Sequence, residues 1–150
     1  MYSKIELQNK IETLENELKE YKKFLNQIKP ESIQEAKVGE VMKDGSIVVY
    51  KENGVALLLA PVFTEVYVEW SKDFSEVFGS LSNYGLNASQ WFIPSKKQLM
   101  LASKQCPDTL YWTSDEVDGT FAWYAGGIAR CGTQDKTKFA YVRAMKCVNY

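Results

Sequence analysis

Histidine is absent from these 150 residues, and that absence removes more chemistry than any other feature of the composition. Without an imidazole there is neither a Ser-His-Asp triad nor a Cys-His pair. A zinc site would also be short of ligands, because Cys106, Cys131 and Cys147 stand at spacings that match no zinc motif. Three cysteines give neither the even count nor the density of a secreted disulfide scaffold. They are expected to be mostly buried thiols, with a Cys131–Cys147 bridge the one pairing left open. No apolar run approaches the length of a membrane span, and the N-terminus has no apolar signal region. The chain is therefore expected to be made in a cytoplasm and to stay soluble, without membrane insertion. Net charge is small as well, at -1. Nucleic acid is not an expected partner, since counterion release needs a concentrated basic surface. A Walker sequence and a dinucleotide fingerprint are both missing, and no cofactor or metal is expected.

What is present divides into a stalk and a head. Leu7, Ile11, Leu14, Leu18, Tyr21, Leu25 and Ile28 are spaced 4, 3, 4, 3, 4, 3. That is a heptad seam with Ile11, Leu18 and Leu25 at a, and Leu7, Leu14, Tyr21 and Ile28 at d. In a parallel pairing Lys10 at g reaches Glu15 at a neighbour's e, and Glu17 reaches Lys22 likewise. Pro30 ends the helix. Residues 1–29 are thus expected to form a coiled-coil stalk, roughly 38 Å long over residues 4–29 at about 1.5 Å per residue. Leucine at two of the three a positions removes the β-branched signal for dimers, so a homotrimer is expected over a dimer. The alternative is an amphipathic helix packed on its own domain; the narrow stripe and opposite-sign g/e pairs argue against it.

Residues 30–37 are polar and read as a linker. From residue 38 the pattern is α+β. "SIVVYKENGVALLLA" reads as a hairpin turning at Asn53 and Gly54. Phe74, Val77, Phe78 and Leu81 recur at helical spacing, with Ser71 as N-cap and Gly85 as stop. A second helix starts at Ser95, which forms a capping box with Gln98; Leu99 and Ala102 face inward and Pro107 closes it. "LYWTS", "FAWYA", "IARCG" and "KFAYVRAMKCV" then read as an antiparallel meander. Its turns are expected at Asp118 and Gly119, Gly126 and Gly127, and Gln134 and Asp135.

The stretch "VGEVMKDGSIVVYKENGVALLLAP", followed by "WFIPSKKQL", "YWTSDE", "AWYA" and "YVRAMKCV", resembles a C-type-lectin-like domain family. Members stand at the C-terminus of bacterial collagen-like adhesins and in bacteriophage fibre proteins. The positions that carry the resemblance are Trp91, Pro94, Ser95, Leu99, Tyr111, Trp112, Ser114, Glu116, Ala122, Trp123, Val142 and Arg143, and it covers residues 38–149. It implies a C-type-lectin-like head over residues 38–150 on a parallel coiled-coil helix. It also implies a structural virion protein, a trimeric fibre or decoration subunit made in the host cytoplasm and carried on the virion surface. Its partners would be itself, other virion proteins and a bacterial surface glycan or protein used in host attachment. A purely structural head-fibre or adaptor subunit, or a bacterial surface adhesin, are the alternatives. Gln98 stands where the family usually has an acid. The Glu-Pro-Asn and Trp-Asn-Asp motifs of calcium-dependent lectins are missing, and no cysteine motif matches the related formylglycine-making enzyme, so neither activity carries over.

"LYWTSDEVDGTFAWYAGG" brings acids and aromatics together and invites a catalytic reading. A glycosidase pair needs two carboxylates held across a cleft. Asp115, Glu116 and Asp118 are neighbours along a turn and give no sign of that arrangement, so the chain is not expected to be an enzyme. Tyr111, Trp112, Phe121 and Trp123 are expected to be core. Recognition is expected from Tyr124 and from a loop over residues 126–138, where Arg130, Gln134, Asp135 and Lys136 form a polar set suited to a glycan or protein surface.

Overall fold

Asn53 and Gly54 both take positive φ, 53° and 76°, the two-residue turn whose twist matches that of the strands it joins. It links β1 (Ile47–Glu52) to β2 (Val55–Leu59). A side chain at Gly54 would meet the Tyr150 carbonyl oxygen at 3.3 Å from its Cβ, while Tyr150 N–H donates to the Gly54 carbonyl at 2.9 Å. The expected hairpin is present in the computed structural model, which describes residues 3–27, 30, 32–105, 109–127 and 130–150. The chain is α+β: an N-terminal helix, α1 (Lys4–Gln27), followed by a sheet-rich domain.

β8 (Met145–Asn149) pairs antiparallel with the far side of β2, giving a three-stranded sheet in the order β1-β2-β8. Central β2 is buried on both faces, which explains its unbroken "VALLL" run. Ala56 and Leu58 pack on one side with Ile33, Ala36, Met42 and Val48. Leu57 and Leu59 pack on the other with Val49, Leu99, Tyr111, Ala125 and Met145. The polar linker expected over residues 30–37 thus carries two apolar side chains, Ile33 and Ala36, that belong to the head's packing. Lys51 Nζ holds the same segment by donating to the carbonyls of Gln34 and Ala36, at 3.1 and 2.8 Å.

α2 (Ser75–Asn83) begins later than its expected cap. Ser71 Oγ accepts from Phe74 N–H at 3.0 Å, and Phe74 then takes a left-handed backbone, φ 43°, before the helix starts. Burial of its ring edge-on to Trp70, at 5.8 Å between centroids, offsets that conformation. The stop at Gly85 is as expected: Gly85 N–H bonds Ser82 O and Leu86 N–H bonds Leu81 O, the Schellman pattern. α3 (Lys96–Ala102) opens with the expected capping box, Ser95 Oγ accepting from Gln98 N–H at 3.2 Å and Gln98 Oε1 from Ser95 N–H at 2.8 Å. Leu99 and Ala102 are buried as expected; Pro107 lies outside the described residues.

The remaining strands form a second sheet in the order β3-β7-β4-β5-β6. They are β3 (Val66–Glu69), β4 (Leu110–Glu116), β5 (Phe121–Gly126), β6 (Arg130–Asp135) and β7 (Phe139–Val142). The expectation of a plain antiparallel meander is wrong in three ways. β3 was not foreseen. "KFAYVRAMKCV" is two strands in different sheets, divided at Arg143 and Ala144. β7 runs parallel to β4, joined by the single Tyr111–Tyr141 bridge, and antiparallel to β3. Two indoles reinforce that narrow seam: Trp112 Nε1 donates to Val68 O at 2.9 Å and Trp70 Nε1 to Thr113 O at 2.8 Å.

Both crossings between the sheets pass one joint. Ala60 follows β2 and its N–H donates to Ala144 O at 2.8 Å. Its carbonyl accepts from the Nε of Arg143, which is 3% exposed. Beside this guanidinium, Tyr111 donates its hydroxyl proton to Glu65 Oε2 at 2.9 Å. Burial pushes the Tyr111 pKa from 10.0 up to about 12, with the Arg143 charge opposing the rise. Because the folded-state value is raised, Tyr111 contributes stability that is full below pH about 10 and is lost as pH climbs towards about 12. Denaturant titrations of the wild type and Tyr111→Phe across that window are expected to converge as pH rises. Parallel curves would contradict the assignment.

Candidate functional site

Among the described residues, the apolar stripe of the N-terminal helix has no partner within the chain. Ser3 caps α1 by a reciprocal pair: Ser3 Oγ accepts from Glu6 N–H at 3.2 Å and Glu6 Oε2 from Ser3 N–H at 2.7 Å. The 24-residue helix that follows is about 36 Å long at ~1.5 Å per residue. Every side chain described from Lys4 to Phe24 is exposed, so the alternative of a helix packed on its own domain is contradicted. Leu7, Ile11, Leu14, Leu18 and Tyr21 are each 47% to 67% exposed along one stripe. Ile28 and the Leu25 side chain lie outside the described residues.

The polar set expected to bind ligand divides between two faces. Residues 126–138 are not one loop: β6 pairs with β5 from Phe121–Asp135 to Gly126–Arg130, and the chain turns at Lys136 and Thr137, not at Gln134 and Asp135. β6 can be this polar because an edge strand needs one paired side and little burial. Arg130 and Gln134 share the face of Tyr124 by strand alternation, and Asp135 lies on the other. Tyr124 covers Gly132, its register partner; a Cβ there would stand 2.8 Å from the Tyr124 hydroxyl oxygen. Arg130 Nε donates to Gly127 O at 3.0 Å.

Asp135 and Lys136 hold the turn itself. Asp135 Oδ1 accepts from Thr137 N–H at 2.9 Å and Thr137 Oγ1 at 2.7 Å, and these bonds keep its pKa below the ordinary carboxylate value. Lys136 bonds through its N–H to Thr120 O and through its carbonyl to Trp70 N–H. Its ammonium reaches Asp118 O, lies 3.4 Å from Glu116 Oε1, and stands 4.6 Å from the centre of the Trp70 ring.

The acids of the acidic–aromatic stretch have local partners of the same kind. Asp118 Oδ1 accepts from Thr120 and Phe121 N–H, at 2.8 and 2.9 Å, and is held below its ordinary pKa by them. Asp115 is aimed elsewhere by a bulge in β4, where the register to β5 slips between Trp112 and Glu116. Thr113 supplies the lost ladder bonds, donating through Oγ1 to Trp123 O at 2.9 Å and accepting from Asp115 N–H at 3.0 Å. Asp115 Oδ2 then accepts from Lys96 N–H in the first turn of α3, at 2.6 Å.

Of the aromatics expected in the core, Tyr111 and Trp112 are fully buried. Phe121 is 42% exposed, because it sits at the open end of β5 beyond the cover of α3. Trp123 is half-buried, with Lys96 Nζ 3.8 Å from its ring centre. Ser95, Lys96, Lys97, Asp115, Glu116 and Trp123 line a cleft of about 440 Å³. A second unforeseen feature is an exposed aromatic cluster across β3 and β7, where Tyr67 lies 4.9 Å from Tyr141 and 5.6 Å from Phe139.

The expectation of buried cysteines also fails. Cys131 and Cys147 are exposed and free, which closes the pairing left open between them. They lie on β6 and β8, strands at the rims of the two sheets, where one flank has no neighbour to cover it. Cys106 lies outside the described residues. Among the described residues no group of three His, Cys, Asp or Glu side chains is placed to hold a metal ion. No described helix is long and apolar enough to cross a membrane. No protein-family model and no curated protein matches the sequence.

Native protein treated with a maleimide, digested and mapped by mass is expected to carry the label on both Cys131 and Cys147 before denaturant is added. Protection of either thiol until unfolding would contradict its placement.

Proposed function

We propose that this protein is a display module: a parallel homotrimeric coiled coil, built from residues 1–29, that carries three C-type-lectin-like heads as a fibre or decoration subunit of a bacteriophage virion. One observation carries the reading. The head completes its own core, whereas the helix in front of it exposes an uninterrupted heptad stripe from Leu7 to Tyr21. Most helical stability in proteins comes from packing an apolar face and not from propensity, and burying the stripe between copies would supply that packing. The opposite charges at g and e, Lys10 with Glu15 and Glu17 with Lys22, favour the parallel arrangement.

The lectin-like reading of the head is supported by its topology, in which the first hairpin pairs with the last strand and two helices and the second sheet lie between. The positions that carry the resemblance serve mainly as scaffold: Trp91, Tyr111, Trp112, Ala122 and Val142 are core, Ser95 caps α3 and Arg143 ties the sheets. Function then depends on multivalency. Three weakly binding heads on one stalk gain avidity for a bacterial surface through effective concentration. No catalytic step belongs to this reading, since Asp115, Glu116 and Asp118 are each committed to a local contact. The exposed Tyr67, Tyr141 and Phe139 cluster favours a second role, as a subunit that docks against another virion protein, because aromatic rings are enriched at such contacts.

Sedimentation at micromolar concentration is expected to give three times the 17.1 kDa chain mass. Removing residues 1–29, or changing Leu14 and Leu18 to Glu, is expected to leave a folded monomeric head. A monomeric full-length chain would contradict the stalk; a dimer would keep the stalk and correct its order.

A further inference from the structure

We propose that the cleft at the start of α3, walled by the Trp123 indole, is a binding site for a carboxylated sugar such as a uronic acid. The proposal rests on the reading of the head as a surface-recognition module and assigns that recognition away from the β6 edge. Its basis is local. α3 covers the face of β4 and β5 with Leu99 and Ala102, over Tyr111 and Ala125. One turn earlier the helix presents Lys96 instead of an apolar side chain, and its ammonium stands 3.8 Å from the ring centre of Trp123, which lies on the same face as Ala125. A half-buried indole capped by a lysine ammonium is a stacking surface that a ligand can uncover.

The polar groups around it then select the ligand. At about 440 Å³ the cleft falls within the ~300–1,000 Å³ range of small-molecule sites. Its two acids are already engaged, Asp115 on the Lys96 N–H and Glu116 with Lys136. Their remaining lone pairs can accept sugar hydroxyls. Ser95 Oγ accepts from Gln98 N–H and keeps its own proton to donate. Lys97 is exposed and has no partner among the described residues, and Lys96 would gain a carboxylate in exchange for the ring face. Lys136 neutralises Glu116 from outside the cleft, so the two lining lysines face one carboxylate, Asp115, that has no ion pair among the described residues. A pyranose on the indole, hydroxyls on the acids and a carboxylate between Lys96 and Lys97 would use every group in the cleft.

The test is titration of the full-length protein with trigalacturonate, read by calorimetry and indole emission, with maltotriose as the neutral control. Wild-type protein is expected to bind trigalacturonate in a saturable, salt-sensitive manner and to show at least tenfold weaker affinity for maltotriose. Lys97→Glu, an exposed change, is expected to weaken binding tenfold or more, and Trp123→Phe to remove the emission change. Absence of trigalacturonate binding, equal affinity for maltotriose, or unchanged affinity in Lys97→Glu would each overturn the proposal. The same trimer and both variants applied to an array of bacterial polysaccharides separate the two levels. Retention by the array that is unaffected by both variants sinks the cleft and keeps the recognition role; retention of none sinks the recognition role itself.

Discussion

Everything in the head depends on how the chain passes twice between its two sheets at one point. Ala60, leaving the first sheet, and Arg143 with Ala144, returning to it, are bonded to each other, N–H to carbonyl and guanidinium to carbonyl. A buried guanidinium is a costly group, and Nη2 of Arg143 has no hydrogen-bond partner among the described residues. Tyr111, whose hydroxyl donates to Glu65, lies beside it. Removing one partner from such a site costs more than never having built it. This joint sets β8 beside β2, and that pairing leaves β7 wedged between β3 and β4 with one parallel bridge.

The two parts of the molecule obey opposite rules. In the head, apolar side chains find partners within the chain, on both faces of β2 and between α2 and the second sheet. In the stalk, a regular apolar stripe finds none among the described residues, although its cap and its charge pattern are those of a well-formed helix. The proposed display role fits this division, since association through the helix would leave the head's surface available for recognition.

Local signals in the sequence were sound wherever the backbone itself sets the geometry. Asn53 and Gly54 meant a turn, Ser95 and Gln98 meant a cap, and Gly85 ended α2, because each acts within a few residues. Contacts between distant segments leave no such local mark. "KFAYVRAMKCV" has unbroken strand character, and only the burial of Arg143 at the joint divides it. "IARCG" reads as a strand, but the polar residues after it read as turn and loop, whereas β6 runs on to Asp135 because an edge strand needs only a backbone partner. Trp123 looked like core because it alternates correctly in β5; whether α3 reaches over it is decided by where the helix starts. A signal for the cleft was present in "PSKK", whose lysines fill the first turn before the apolar positions begin. No local pattern marks the Tyr67, Tyr141 and Phe139 cluster, since β3 pairs with a strand far along the chain, from Val66 with Val142 to Glu69 with Phe139.

Hydrogen exchange measured at two protein concentrations tests this division between stalk and head most directly. Amides of β2 and β8, closed against each other in one chain, should be strongly protected and equally so at both concentrations. Those of α1 should be protected at the higher concentration and exchange rapidly on dilution below the association midpoint. If α1 keeps the same protection in a monomer, the helix is stabilised within its own chain, and the account of an unsatisfied stalk carrying a self-sufficient head is wrong.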